Sequence, residues 1–272
     1  MLGQLSWLSE QAGSERRVLA LDEEQELVVD QTTEQVRLLM RVKQVLKERA
    51  LMLYAQPIQN REGEGYHEIL TRMRCGDSVI MPDQFIPLIV QFNLSQRFDM
   101  LVLETLFSVL HQHPGQRFSV NLLPAALMQK DSAAQIIALF QRYAVSPGLI
   151  TIEVTEEQAF SNADISQQNL EALRAFGCAI AIDDFGTGYA NYERLKHLQA
   201  DIIKIDGCFV RDILTDPLDA IMVKSIVEMA RAKQMSVVAE YVESEPQKAR
   251  LLELGVNYLQ GYLIGKQQQL GE

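Results

Sequence analysis

Cysteine is scarce in this chain. Cys75, Cys178 and Cys208 are widely spaced and form no C-x-x-C pair. That excludes a disulfide framework and fits a reducing compartment, with the thiols acting as small buried hydrophobes. His67, His111, His113 and His197 show no metal-ligand spacing, and the zinc motif H-E-x-x-H is absent. There is no P-loop, no Gly-x-Ser-x-Gly elbow and no glycine-rich first turn of a dinucleotide fold. Positive charge is short as well: 25 Lys and Arg stand against 36 Asp and Glu, a formal net charge of −11. Polymeric DNA or RNA is therefore excluded as a partner, because Lys and Arg dominate phosphate binding. A small anionic ligand is still compatible if cations in the site offset the carboxylates. No apolar stretch approaches the ~20 residues of a membrane span. Met1-Leu2-Gly3-Gln4-Leu5-Ser6 lacks the basic region and apolar core of a secretory signal. A cytoplasmic location is expected, with any membrane tether lying outside this chain.

Hydrophobic residues make up 47% of the 272, enough for a sizeable core. After an acidic, irregular start with one candidate strand at Arg17–Leu21, a helix is predicted from Thr33 to Arg49. Val36, Leu39, Met40, Val42 and Leu46 lie on roughly one stripe of it. Then strands and helices alternate. Strands are predicted at Leu51–Ile58, Tyr66–Met73, Phe118–Leu123, Leu149–Val154, Cys178–Ile182, Ile202–Ile205, Ser236–Ala239 and Tyr258–Ile264. Helices are predicted at Arg97–Leu110, Ala133–Tyr143 and Ile165–Phe176, the last stopping at Gly177. Two more start at Asp216-Pro217 and at the capping box Ser244-Glu245-Pro246-Gln247, the latter ending at Gly255. This alternation predicts an α/β fold, a TIM-like (β/α)8 barrel of parallel strands with an N-terminal helical extension.

Polar residues sit where those strands run. They are Gln56, Glu68, Asn121, Glu153, Asp183-Asp184, Lys204, Glu240 and Gln260. In a barrel of this kind the active site lies where the strands end and the loops begin, so the set predicts one convergent site. Ala179-Ile180-Ala181-Ile182-Asp183-Asp184-Phe185-Gly186-Thr187-Gly188-Tyr189 carries two adjacent carboxylates into a loop. Such a pair repels itself unless cations or donors are near. Period two places Glu153 on the face opposite Ile152 and Val154. Lys204, between Ile203 and Ile205, is costly to bury unless paired, and Asp206 or Asp183 are candidate partners. Glu240 and Glu243 are each able to ligate a metal or take a proton. This oxygen-rich chemistry suits Mg²⁺ or Mn²⁺ rather than Zn²⁺.

These segments together resemble one family. Glu68-Ile69-Leu70-Thr71-Arg72 is similar to the E-A-L-x-R signature of EAL-domain cyclic-di-GMP phosphodiesterases. The resemblance runs from about Leu51 to Gly265. It includes Tyr54-Ala55-Gln56-Pro57-Ile58, Ser119-Val120-Asn121-Leu122, Glu153-Val154-Thr155-Glu156, Lys204-Ile205-Asp206, Val238-Ala239-Glu240 and Gln260-Gly261-Tyr262. It implies a two-metal site that hydrolyses cyclic-di-GMP to linear pGpG, with Mg²⁺ or Mn²⁺ as cofactor and Ca²⁺ inhibitory. By that resemblance, Glu68, Asn121, Glu153, Asp183, Asp184 and Glu240 match metal ligands. Glu240, Lys204, Glu68 and Asp183 match the catalytic set. Gln56, Arg72, Glu243 and Gln260 match substrate contacts, and Glu156 matches the residue that holds the loop after Asp184. A homodimer is also implied. Residues 1–30 resemble the tail of an upstream GGDEF domain and 31–50 a connecting helix, leaving 51–272 as the barrel domain.

Departures from the family pattern are Ile69 for alanine, Tyr241 for the glycine after Glu240, Ala190-Asn191 for serines and Lys266-Gln267 for Arg-Pro. Tyr241 motivates an alternative reading, a receptor that binds the dinucleotide without cutting it. A displacement of Glu240 near 1 Å would cost about 10²-fold in rate.

Overall fold

The computed structural model describes residues 34–159, 164–187 and 199–271. The candidate strand at Arg17–Leu21, the whole of segment 1–30 and loop residues Gly188 to Asn191 lie outside the described residues.

A helix over residues 34–48 (α1) leads into β1 (Leu51–Gln59) and β2 (Gly65–Cys75). A short β3 (Ser78–Ile80) and helices α2 (Pro82–Gln91) and α3 (Ser95–Val109) follow. Next come β4 (Phe118–Asn121), α4 (Pro124–Leu127), α5 (Ser132–Tyr143) and β5 (Ile150–Thr155). Then the chain makes α6 (Glu156–Ala159), α7 (Asp164–Phe176), β6 (Ala179–Phe185) and β7 (Ile202–Ile205). Last are α8 (Cys208–Arg211), α9 (Pro217–Ala232), β8 (Ser236–Ala239), α10 (Glu245–Leu254), β9 (Tyr258–Gln260) and β10 (Gln268–Gln269).

Eight strands close a ring in the order β1-β9-β8-β7-β6-β5-β4-β2, with β2 pairing back to β1. The expectation of an all-parallel ring is corrected at one strand. β1 runs antiparallel to both β2 and β9, while the other seven are mutually parallel. The cause is the link between β1 and β2. A parallel pair needs a crossover of about a dozen residues, whereas a short turn permits only a hairpin. Here residues 60–64 make that turn: the Asn60 side-chain oxygen accepts from the Glu62 and Glu64 N–H groups, and Gly63 supplies φ 84°. On the returning strand Gly65 must be glycine, because a Cβ there would meet the Ile58 carbonyl oxygen at 1.8 Å.

Helix ends obey the local signals. Asp216 accepts from the Leu218 N–H at 2.8 Å, and Ser244 with Gln247 closes a capping box. Gly177 and Gly255 both take positive φ just past a helix. Two expected strands are shorter than predicted. β4 stops at Asn121, and β9 stops at Gln260 because Gly261 turns the chain against the Val242 backbone. On α1 the buried stripe is Val42, Val45 and Leu46, with Leu38 and Leu39 partly buried against the core, whereas Val36 and Met40 face solvent.

Apolar side chains divide into two regions. The main core fills the space between barrel wall and outer helices, and includes Phe85, Phe118, Phe140, Leu106 and Ile152. A small inner cluster of Ile58, Tyr66 and Val238, with Ile202 and Tyr258 against it, plugs the barrel interior near the N-terminal ends of the parallel strands. Above that plug the inward positions turn polar. In the outer core Phe140 packs on Phe107 and Phe176 with ring centroids 4.7 and 5.5 Å away. Replacing it with alanine is expected to lower the unfolding free energy by ~3–5 kcal/mol. Urea titration followed by circular dichroism measures this, and an unchanged midpoint would contradict the packing described.

Candidate active site

The inward face of each strand supplies one or two polar groups at the C-terminal end of the barrel. Period two aligns Glu68 of β2, Asn121 of β4, Glu153 of β5, Asp183 of β6 and Lys204 of β7. Glu240 follows β8 directly, and Gln260 ends β9. Neighbour pairing sets their heights: Asn121 is opposite Glu153, and Thr155 is opposite Asp183.

Lys204 is the centre. It is fully buried, and its Nζ lies 2.8 Å from Glu153 and from Glu240, 3.0 Å from Asp183 and 3.3 Å from Glu68. Of the two partners considered for it, Asp183 is in contact. Asp206 turns instead to cap the Cys208 N–H at 2.8 Å. Glu68 is held from three sides, accepting from Asn121 Nδ2 (2.8 Å), Gln260 Nε2 (2.6 Å) and Lys204. Asp184 adopts φ 53°, which turns its carboxylate away from the strand toward solvent beside Asp183. Glu156 accepts from the Gly186 N–H at 2.8 Å and so ties down the start of the loop after Asp184.

A cavity of about 350 Å³ opens above this cluster, lined in part by Gln56, Glu68, Asp183, Asp184, Glu240, Glu243 and Gln260. Arg72 lies off the cavity wall. Its guanidinium stacks on Tyr54 with 4.0 Å to the ring centroid and donates to Gln267, which does line the cavity. Glu153 and Lys204, both fully buried, lie directly beneath the cavity floor, whereas Asn121 stands at the exposed end of β4 and touches Glu68. Tyr241 leaves Glu240 in place, with its carboxylate still on the lysine.

Several contributors were not singled out from the sequence. Asp206, read from the sequence only as a candidate partner of Lys204, lines the cavity instead. Buried Asp99 accepts from the Leu123 N–H at 2.9 Å, and burial raises its carboxyl well above the ordinary range. Gln158 donates to the Leu122 carbonyl and accepts from the Thr155 N–H. Together they fix the chain just beyond Asn121. Nothing local distinguishes either residue in the sequence.

Electrostatics make the cluster able to hold a cation. Burial pushes the Glu153 carboxyl up to about 8 and that of Glu240 up to about 7; neighbouring carboxylates add to this, and Lys204 opposes it. Burial, then Asp183, raises Asp184 too. Burial alone would lower Lys204, but the four carboxylates outweigh it and hold its ammonium well above the ordinary value. One ammonium cannot balance so many acids. Glu153 Oε1 is buried without a hydrogen-bond partner, and Asp183 Oδ1 touches Lys204 without hydrogen-bond geometry. Two overlapping triads, Glu68-Glu153-Asp183 and Asp183-Asp184-Glu240, each bring carboxylate oxygens within 4.8 Å of one another. These hard oxygen donors fit Mg²⁺ or Mn²⁺.

The model of the EAL domain matches residues 39–267. The chain belongs to the EAL domain family. It is similar to the probable cyclic di-GMP phosphodiesterase PdeA of Escherichia coli (strain K12), with 59% identity covering 100% of this chain and 38% of that protein. It is also similar to the cyclic di-GMP phosphodiesterase PdeF of the same strain, with 43% identity over 87% of this chain and 32% of that one. The chain thus spans about a third of the length of these relatives. Among solved structures it resembles the PaMucR phosphodiesterase in complex with c-di-GMP, at 34% identity and TM-score 0.79, covering 85% of this chain and 97% of that one.

The raised carboxyls set a pH dependence for the metal-free EAL domain. An ordinary glutamate titrates near 4.5, whereas these two keep their protons to about 8 and 7. The folded chain therefore binds more protons than the unfolded chain across that interval. Their contribution to stability is present below the ordinary value and is lost as pH rises through 7 to 8. Lys204 stays charged throughout. In EDTA the melting temperature is expected to fall by several degrees between about pH 5 and about pH 8.5. Mg²⁺ or Mn²⁺ should restore it, and more strongly at the alkaline end. Calorimetric scans test this, and a melting temperature that rises with pH would refute it.

Proposed function

We propose that this chain is a metal-dependent phosphodiesterase that hydrolyses cyclic-di-GMP to linear pGpG. The observation that carries the reading is the gathering of Glu68, Glu153, Asp183 and Glu240 around buried Lys204 at the strand ends of an EAL barrel. Glu68, Asn121, Glu153, Asp183, Asp184 and Glu240 would hold two Mg²⁺ or Mn²⁺ ions. Bound there, the ions supply positive charge that admits an anionic ligand and Lewis-acid polarisation of the scissile phosphate and of water.

The chain's own groups do the rest. Lys204 fixes the carboxylates by direct contact and offers its ammonium to orient the attacking water. Glu240, in contact with Lys204 at the cavity wall, takes the proton from that water. The water oxygen bonds to phosphorus, the bond from phosphorus to the 3′ oxygen breaks, and the freed 3′ oxygen takes up a proton. The product is the linear dinucleotide with a 5′ phosphate. Gln56, Gln260 and Glu243 face the ligand from the cavity wall. Arg72, half-buried with Nη1 unpaired, is placed to turn toward a phosphate if Gln267 releases it.

A binding-only receptor gains no support from Tyr241, since Glu240 keeps its 2.8 Å contact with Lys204. Among the described residues no helix is long and apolar enough to cross a membrane. We place the activity in the cytoplasm, in a homodimer, within a longer polypeptide carrying an upstream GGDEF or sensor domain. What supports these three is the resemblance to the family.

Chromatographic assay of cyclic-di-GMP turnover tests the reading. Mg²⁺ or Mn²⁺ should support hydrolysis, and Ca²⁺ should not. Glu68→Ala and Lys204→Ala should each lower kcat by at least ~10²-fold. Absence of turnover by the unaltered chain with both Mg²⁺ and Mn²⁺ refutes it.

A further inference from the structure

The residue after Glu240 is a tyrosine held at φ 57°, the left-handed region that an aromatic side chain seldom adopts. Such a conformation persists only where the surroundings impose it. Two contacts do so. The ring lies against Gly207, where an added Cβ would come 2.3 Å from a ring carbon. The guanidinium of Arg211 sits 5.2 Å from the ring centroid. Glycine at 207 therefore leaves room for the ring, and the arginine fixes its tilt. Even so the tyrosine is 52% exposed, and it lines the same cavity as Glu240, Asp206 and Gln260. A large ring has been fastened to the wall of a ligand cavity without being buried by the protein.

We infer that Tyr241 is a specificity-determining residue, a platform on which one guanine base of the cyclic dinucleotide stacks. This rests on the phosphodiesterase reading above, which supplies a ligand with two planar bases. A base laid on the uncovered part of the ring gains aromatic contact, on a cavity wall that also carries exposed Tyr262. The strain at residue 241 and the space at Gly207 then have a common purpose, since both are needed to present the ring beside the phosphate chemistry without moving Glu240.

Steady-state kinetics on the unaltered chain, Tyr241→Phe, Tyr241→Leu and Tyr241→Gly decide the point. Phe keeps the ring, Leu removes it while keeping bulk, and Gly removes it and relaxes the backbone. Leu and Gly should raise KM by about 10-fold, with kcat little changed and Phe close to the unaltered chain. Tyr241→Gly should melt no lower than the unaltered chain, because glycine accepts that φ without strain. Unchanged KM in the Leu and Gly variants overturns the platform, as does a fall in kcat at constant KM, which would mean that Tyr241 acts through Glu240. Calorimetric titration of cyclic-di-GMP in Ca²⁺ separates the two readings. If the unaltered chain binds but never turns over with Mg²⁺ or Mn²⁺, while Leu and Gly weaken binding, the hydrolase falls and the platform stands. If the unaltered chain neither binds nor turns over, both fall.

Discussion

A single buried ammonium organises this molecule. Lys204 carries one positive charge into a barrel interior where four strands each present a carboxylate to it. Burying that lysine alone would be prohibitive, and so would burying the acids alone. Together they tolerate burial, yet the balance remains negative. Burial and mutual repulsion keep Glu153 and Glu240 inclined to hold protons. Contacts within the chain thus hold the cluster together, and its remaining negative charge is what a hard divalent ion would relieve.

The barrel makes that arrangement possible by sorting its interior into levels. Tyr66, Ile58 and Val238 close one end with apolar volume and keep water from reaching the lysine from below. On β6, Ala179 and Ala181 precede Asp183 on the inward face, and their small side chains leave space for the long neighbours. Asp99, Gln158 and Glu156 then brace the loops from outside the ring. The geometry of the cluster is thus a property of strand register and loop anchoring more than of any one side chain.

Much of this was legible in the amino-acid order, and the reasons differ by element. All eight barrel strands could be placed, because each is a short apolar run broken by turn or cap residues, such as Gly177 before β6 and Asp216-Pro217 after β7. The polar residues inside those runs were visible for the same reason: Lys204 between two isoleucines cannot be read as surface. Strand direction was not visible. Apolar patterning is the same read either way, and only the five-residue turn after Gln59 specified an inverted first strand. The left-handed backbone at Tyr241 was hidden too, since an aromatic gives no local sign of positive φ. The supports Asp99 and Gln158 act across distant segments and leave no trace in spacing. α2 was not anticipated, because Pro87 interrupts its pattern.

The inverted first strand has a mechanical corollary. Leu51 pairs with Met73 and Gln59 with Gly65, so β1 begins at the open, acid-lined mouth of the barrel and descends toward the apolar plug. In a uniformly parallel barrel the first strand would start at the opposite pole. Only residues 49 and 50 separate helix α1 from Leu51 at the start of β1, on the ligand-facing rim, and Gln56 lies five residues further on. A tug or twist on that helix reaches Gln56, and through its register partner Glu68 the acidic cluster, along less than one strand of covalent chain.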